Sequence, residues 1–444
     1  PLPRLLKFLA YFLGVIGLIA LATITTVDRS PIAEQDFYRK TFDRLSSTPW
    51  EGSEGETWLA GWSKANVTPP KPVDLVGYAP RGSYEFVQDS SYVKAITLSN
   101  GKTRIAWLNY ELLIVHPALA QAVENAVKEA GIPTNQVIFT ATHTHSGMGG
   151  YMPGPLGELA FGGYDQKIVD LLAAKSVQAL QKALASEDSV SMSYRKTKAE
   201  DFVANRFVKD GPFDPFVRQV IFTKKDGKKA VFFTYSAHAT CLSSKFMGLS
   251  GDYPKALTRK MEEREYDLAL FAAGTVGSHR PLSRGNTPEK VDEYAAALDS
   301  VIWLRMTNFA SNKLPRITYS RLDLSLREPH LRISDNLRIR PWLFNYLLGK
   351  TNAHVDITQV GRILFISSSG ELSGVFYEEW EKLADQHDLK LMVTVFNGGY
   401  IGYITPDELY DEHFHEVREM NWYGPGNGTY FDQLIRQIIT KAGK

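Results

Sequence analysis

The sequence predicts an α/β fold with mixed β-sheets flanked by helices, preceded by one N-terminal transmembrane helix. Three observations carry that prediction. Strand-like and helix-like apolar runs alternate from Thr57 onward, a hairpin sits among longer crossover connections, and the stretch from Phe8 to Val27 holds no charge. With 444 residues, 44% hydrophobic and 22% charged, the chain has the composition of a folded globular protein with a large core.

The N-terminal run FLAYFLGVIGLIALATITTV, residues 8–27, is long enough to cross a ~30 Å hydrocarbon core. Arg4 and Lys7 precede it, as in a signal peptide or a signal-anchor. Ala20-Leu21-Ala22 offers a cleavage site, whereas the apolar run continuing past it favours an uncleaved anchor. The basic flank then leaves the rest of the chain extracytoplasmic, periplasmic if the source is bacterial. Residues 1–27 are therefore expected as the anchor, 28–55 as a polar tether with some helix, and 56–444 as one folded domain.

Within that domain, TRIAWL at 103–108 reads as a strand, and residues 117–130 as a helix ended by Gly131. VIFTAT at 137–142 is a second strand, and 165–184 a long amphipathic helix. VIFT at 220–223 and 230–235 form a hairpin around Gly227, and 363–367 and 391–395 are further strands. Residues 336–350 (NLRIRPWLFNYLLGK) set Trp342, Leu343, Phe344, Tyr346, Leu347 and Leu348 between Arg338, Arg340 and Lys350. That segment reads either as a core helix with basic ends or as one that dips into lipid headgroups.

A formal net charge of +1 and the absence of a long basic run argue against nucleic-acid binding. The single cysteine, Cys241, excludes an intrachain disulfide and a cysteine-rich zinc site. Any metal must then use His, Asp, Glu or Tyr. If the strand at 137–142 continues extended, His143 and His145 project together from its C-terminal end, where open α/β sheets place ligands. His-x-His on a strand suits zinc, and equally suits two histidines hydrogen-bonded at a sheet edge. His238 follows the strand VFFTY among small residues. Glu371 follows ILFIS and Gly370, where a buried carboxylate needs a cation, or else begins a helix over 372–383.

These segments resemble, in order, those of the neutral ceramidase family, zinc-dependent enzymes that hydrolyse the amide of ceramide. GWSKANVTPP at 61–70 with Val76-Gly77-Tyr78-Ala79 resembles the family's opening strand and MGYA-type turn. ATHTHSGMGG at 141–150 resembles its ATHTHSGPGG block, and Asn205-Arg206 its INR segment. Ser236 to Thr240, Ser250 to Tyr253, FAAGTVG at 271–277, Gly370-Glu371 and YIGYITPDE at 400–408 are similar to further family motifs. The resemblance runs from about Gly61 to Tyr430. It implies that His143, His238, Glu371 and Tyr403 hold Zn2+, that His145 transfers protons, and that Arg206 orients or polarises the amide. Tyr403 thereby counts among the catalytic residues as well.

The implied reaction is hydrolysis of the N-acyl amide of a ceramide-like or other N-acylated lipid at a membrane surface. A zinc-activated water is the nucleophile and His145 the general acid/base. Two departures stand out. His415 occupies the position of a second functional tyrosine, and Gly277-Ser278-His279-Arg280-Pro281 lacks the acidic residue of the family's GDVSPN. The family's larger members also carry a C-terminal β-sandwich that this sequence has no room for. Two other readings remain open: a metal-retaining lipid-binding protein with little or no catalysis, and a zinc hydrolase acting on an ester or a non-lipid amide.

Overall fold

The computed structural model describes residues 4–305 and 314–444; the first three residues of the expected anchor lie outside them. The strands that build the two main sheets are β1 (Glu51–Glu54), β2 (Leu59–Asn66), β3 (Tyr92–Ser99), β4 (Arg104–Tyr110), β5 (Gln136–Ala141), β6 (Asp188–Lys198) and β7 (Phe216–Lys224). They continue with β8 (Lys229–Tyr235), β9 (Leu268–Ala273), β10 (Arg316–Asp323), β11 (His354–Val360), β12 (Ile363–Ser368) and β13 (Lys390–Val395). The first helices are α1 (Arg4–Thr23), α2 (Asp36–Ser47), α3 (Pro117–Glu129), α4 (Pro155–Phe161), α5 (Gln166–Ala185) and α6 (Asp252–Arg264). After them come α7 (Pro288–Leu304), α8 (Pro341–Leu348), α9 (Tyr377–Gln386), α10 (His415–Arg418) and α11 (Asn427–Ala442).

The eight-stranded sheet runs β9-β8-β7-β6-β2-β3-β4-β5, and the five-stranded sheet runs β1-β10-β11-β12-β13. Both are mixed, as the sequence predicts: β4/β5, β8/β9 and β12/β13 are parallel, and the other neighbours are antiparallel. Strand alternation explains the layering. On β4, Ile105 and Trp107 face the five-stranded sheet, while Ala106, Leu108 and Tyr110 face the helices. Phe365 of β12 packs against Trp107 and Phe232 of the larger sheet, with ring centroids 5.0 and 5.5 Å away, so the sheets meet through a dry aromatic contact.

Helices cover the outer faces. α5 buries Ile168, Val169, Leu172, Ser176, Ala179, Leu180 and Ala183 at three- and four-residue spacing against β2 and β3. Gly61 permits that approach, because a Cβ there would stand 1.9 Å from the Ala183 carbonyl oxygen. On the other side, α9 packs on β13 and α11 on β12.

Residues 28–55 are more closely integrated than a tether. α2 buries Thr41, Phe42 and Leu45, Phe42 meets the Tyr430 ring of α11 at 5.8 Å, and β1 is an edge strand paired with β10. The polar look of this stretch reflects a one-sided helix and an edge strand, both of which leave polar side chains in solvent. The stretch 336–350 divides in two. Leu337–Ile339 pairs antiparallel with Ile24–Thr26, and α8 follows with Phe344 and Leu348 inward and Trp342 and Tyr346 outward.

Candidate metal centre

Strand β5 ends at Ala141 and delivers His143 and His145 to one place by a route other than simple alternation. His143 has φ +62°, the left-handed region, so the backbone turns sharply directly after the strand. The two rings then meet edge to face, with centroids 4.9 Å apart. His238 arrives three residues beyond the C-terminal end of β8, the strand bounded by Tyr235. Glu371 arrives three residues beyond the end of β12. All three strands belong to parallel pairs, and their C-terminal ends converge on one spot.

The ring tautomers follow from backbone carbonyls, which can only accept. Nδ1 of His143 donates to the Leu113 oxygen at 2.7 Å, that of His145 to the Gly77 oxygen at 3.0 Å, and that of His238 to the Val276 oxygen at 3.3 Å. In the neutral rings, each Nε2 therefore presents a lone pair. The three Nε2 atoms lie 2.9, 3.0 and 3.4 Å from one another, so three acceptors face each other without a proton between them. A cation resolves that arrangement. Among the described residues this trio forms a cluster able to hold a metal.

The carboxylate of Glu371 completes the donor set. Its Oε1 accepts from the Tyr400 hydroxyl at 2.6 Å, while the buried Oε2 has no hydrogen bond and stands 3.4 Å from His143 Nε2. Three facing imidazole lone pairs with an orphaned carboxylate oxygen beside that of His143 fit a metal of borderline softness such as zinc. Burial opposes ionisation of Glu371, yet His143, Tyr400 and Tyr403 outweigh it and hold the carboxyl below its usual range. Burial, with His143 adding to it, pushes His145 well below the usual imidazole value; burial and Arg206 do the same to His238. Both rings are thus held neutral, the form that can ligate metal or accept a proton.

Tyr403 lies in the short parallel pair Glu371–Leu372 with Tyr403–Ile404, which puts it beside Glu371. Its ring stacks near His238, and its face lies 5.4 Å from the guanidinium carbon of Arg206. This pairing also corrects the expected helix over 372–383: α9 begins at Tyr377, after a turn of 3-10 helix over Gly374–Phe376. Glu371 is therefore on a strand facing histidines and is not a helix-terminal carboxylate. Arg206 donates to the Gly277 oxygen at 2.9 Å and pairs with Glu416 at 2.8 Å. Burial disfavours its charge, but Tyr403, Glu416 and Glu371 more than compensate and raise its pKa.

Of the two departures in sequence, His415 does not face this centre. It is exposed and pairs with Glu419 at 3.1 Å, while its neighbour Glu416 reaches Arg206. Ser278 is buried and accepts from Ser373 Oγ at 2.7 Å and from the Gly374 N–H at 3.1 Å. Sequence reasoning did not single out Tyr400, the clamp around His145, or Glu416. The clamp consists of Gly77, the Tyr78 ring 5.0 Å from that of His145, and Arg81, whose guanidinium donates to the His145 carbonyl at 2.7 Å and also to that of Phe246. The i, i+3 pair of tyrosines in YIGY was the available signal for Tyr400.

Residues 58–268 match the family model for neutral/alkaline non-lysosomal ceramidase, N-terminal. A search of curated protein sequences finds no match. Among solved structures, the neutral ceramidase from Pseudomonas aeruginosa superposes with a TM-score of 0.71 at 16% identity, covering 88% of this chain and 75% of that one. A structure described as a ceramidase complexed with C2 superposes with a TM-score of 0.72 at 15% identity, covering 87% and 75%. The segment 58–268 is thus identified with the N-terminal part of the neutral/alkaline non-lysosomal ceramidase family, and the chain shares the fold of those solved ceramidases.

Proposed function

We propose that the protein is a zinc-dependent amide hydrolase that cleaves the N-acyl bond of a ceramide-like or other N-acylated lipid at a membrane surface. The observation that carries this reading is that three Nε2 lone pairs face one another, with the unpartnered, buried Oε2 of Glu371 standing 3.4 Å from that of His143. The family match over residues 58–268 supports the amide chemistry, and helix α1, apolar after Arg4 and Lys7, supports the membrane setting. Those two basic residues favour a domain outside the cytoplasm.

His143, His238, Glu371 and Tyr403 would hold the metal. When bound, zinc supplies a Lewis acid that polarises the carbonyl and acidifies water. His145 is the one member of the trio that is only partly buried, and its Nδ1 is fixed on Gly77. Its free Nε2 accepts the proton of the attacking water and returns it to the departing amine nitrogen, which leaves poorly as an anion. Arg206, held charged, orients the amide oxygen and stabilises the negative charge that develops there.

The test separates binding from turnover. With N-acyl lipid in mixed micelles and zinc present, the intact chain is expected to release fatty acid. His143→Ala is expected to lose both zinc and turnover, while His145→Ala keeps zinc by elemental analysis and loses turnover by at least about a hundredfold. Equal zinc loss in both variants would overturn the division of roles.

One observation favours a second reading, that of a metal-retaining lipid-binding protein: Glu416 already neutralises Arg206, the group assigned to the amide. That reading predicts full zinc loading with no turnover across a panel of amides and esters. Turnover of esters or of soluble amides alone would point instead to a zinc hydrolase of different substrate class.

A further inference from the structure

Helix α1 does not lead into a free linker. Its last turn is tied to the domain: the Arg340 N–H donates to the Thr23 oxygen at 2.7 Å, Arg340 Nε to the Leu21 oxygen at 2.9 Å, and Trp342 Nε1 to the Ala22 oxygen at 2.9 Å. The chain then pairs as a short strand with Leu337–Ile339, and α8 begins two residues later. The segment before α8 and α8 itself are thus fixed at the level where the apolar helix ends.

What the domain shows at that level is apolar. Trp342 is 54% and Tyr346 66% exposed on α8, and Leu159 is 62% exposed on α4, which packs beside α8. Ile333 and Leu337 are exposed on the adjoining segment, and Arg340 and Lys350 bracket α8. Scattered exposed apolar side chains are ordinary, but a group continuous with the end of an apolar helix, rich in aromatics and bounded by cations, matches a membrane-interface belt. From α8 inward, the Phe344 ring lies 5.6 Å from Trp422, Trp422 lies 5.4 Å from Tyr400, and Tyr400 hydrogen-bonds Glu371.

We infer that the face formed by α4, α8 and residues 333–340 sits in the headgroup region of the same bilayer that α1 crosses, with Trp342 and Tyr346 as interfacial anchors. The occupant is a phospholipid surface. Through Phe344, Trp422 and Tyr400 that seating fixes the height of the metal centre above the lipid. The inference rests on the membrane setting proposed above and deepens it by naming the surface.

The experiment uses the full chain in vesicles of phosphatidylcholine and phosphatidylglycerol, with spin labels on added cysteines, native Cys241 being buried. Labels at Tyr346→Cys and Leu159→Cys are expected to be at least about threefold less accessible to a water-soluble relaxant than a label at Lys225→Cys in the β7–β8 turn. They should also contact nitroxide lipids labelled near the headgroup. Accessibility equal to that of the Lys225→Cys label overturns the proposal. So does protection without lipid contact but with label–label broadening, which would assign the face to a second copy of this chain. A Leu13→Cys label outside the lipid would overturn the membrane span, and the seating with it. No activity is measured, so the amidase reading stands or falls separately.

Discussion

Gly77 is the residue on which the placement of His145 turns. Its φ is +101°, and a Cβ there would stand 2.6 Å from the His145 Cα and 2.8 Å from its Cγ. Gly77→Ala must therefore displace either the loop or the imidazole. Because a displacement of about 1 Å at a proton-transferring group costs up to about a hundredfold in rate, kcat is expected to fall about 10- to 100-fold. Zinc content, measured on the same sample, should stay near that of the parent, since His143, His238 and Glu371 do not touch Gly77. Tyr400 acts on the other side of the centre. Tyr400→Phe removes the hydrogen bond to Glu371 Oε1 and leaves a second buried oxygen without a partner. Zinc affinity, read by competition with a chromogenic chelator, is expected to weaken about 10- to 100-fold.

Elements were legible in the sequence where burial on both faces left an apolar signature. β4, β5, β8 and β12 fall within a few residues of their predicted places because branched and aromatic side chains fill them, and α5 does so through the three- and four-residue spacing of its one buried face. β1, with the sequence EGSE, was not legible: an edge strand with solvent on its outer face carries no such pattern. The two-residue strands Glu371–Leu372 and Tyr403–Ile404 are too short for any periodicity, yet they set the carboxylate beside the tyrosine. The site residues were named from their resemblance and their context after strands. The left-handed kink at His143 and the approach of Glu416 to Arg206 are products of tertiary packing, with no local signature. At this scale the sheet–sheet contact makes a clean prediction. Phe365→Ala vacates the space between Trp107 and Phe232 and is expected to cost about 3–5 kcal/mol in urea unfolding. A loss below about 1 kcal/mol would mean that the two sheets close up around the gap.

Two histidines outside the metal centre, held neutral by burial, make the fold as a whole sensitive to acid. His330 is 1% exposed, and burial, with Arg338, Arg332 and Arg327 nearby, pushes its pKa down to about 3; burial pushes His116 down to about 4. In the unfolded chain both titrate near ~6.5. The folded form thus refuses protons that the unfolded form takes up. The contribution is fully present above pH ~6.5 and is lost as pH falls toward 4, by about 1.4 kcal/mol per pH unit for a fully buried group. Thermal melts should show Tm falling steadily from pH 6.5 to 4.5, with a shallower fall in His330→Gln. A flat profile in the parent would contradict the neutral burial of His330.

His143 and His238 leave the eight-stranded sheet, whereas Glu371 leaves the five-stranded one. A shared ion would act as a rivet between two halves that also meet through side-chain packing and through hydrogen bonds such as those of Gln136 with Asp356 and Thr358. Metal supply would then govern maturation as well as chemistry, since binding to the native state alone raises its stability by mass action. Without an ion, three facing lone pairs and an unpartnered carboxylate oxygen would be left at the seam between the sheets, a cost borne by the folded state. On this view the resistance of the folded chain to proteolysis would rise with metal supply.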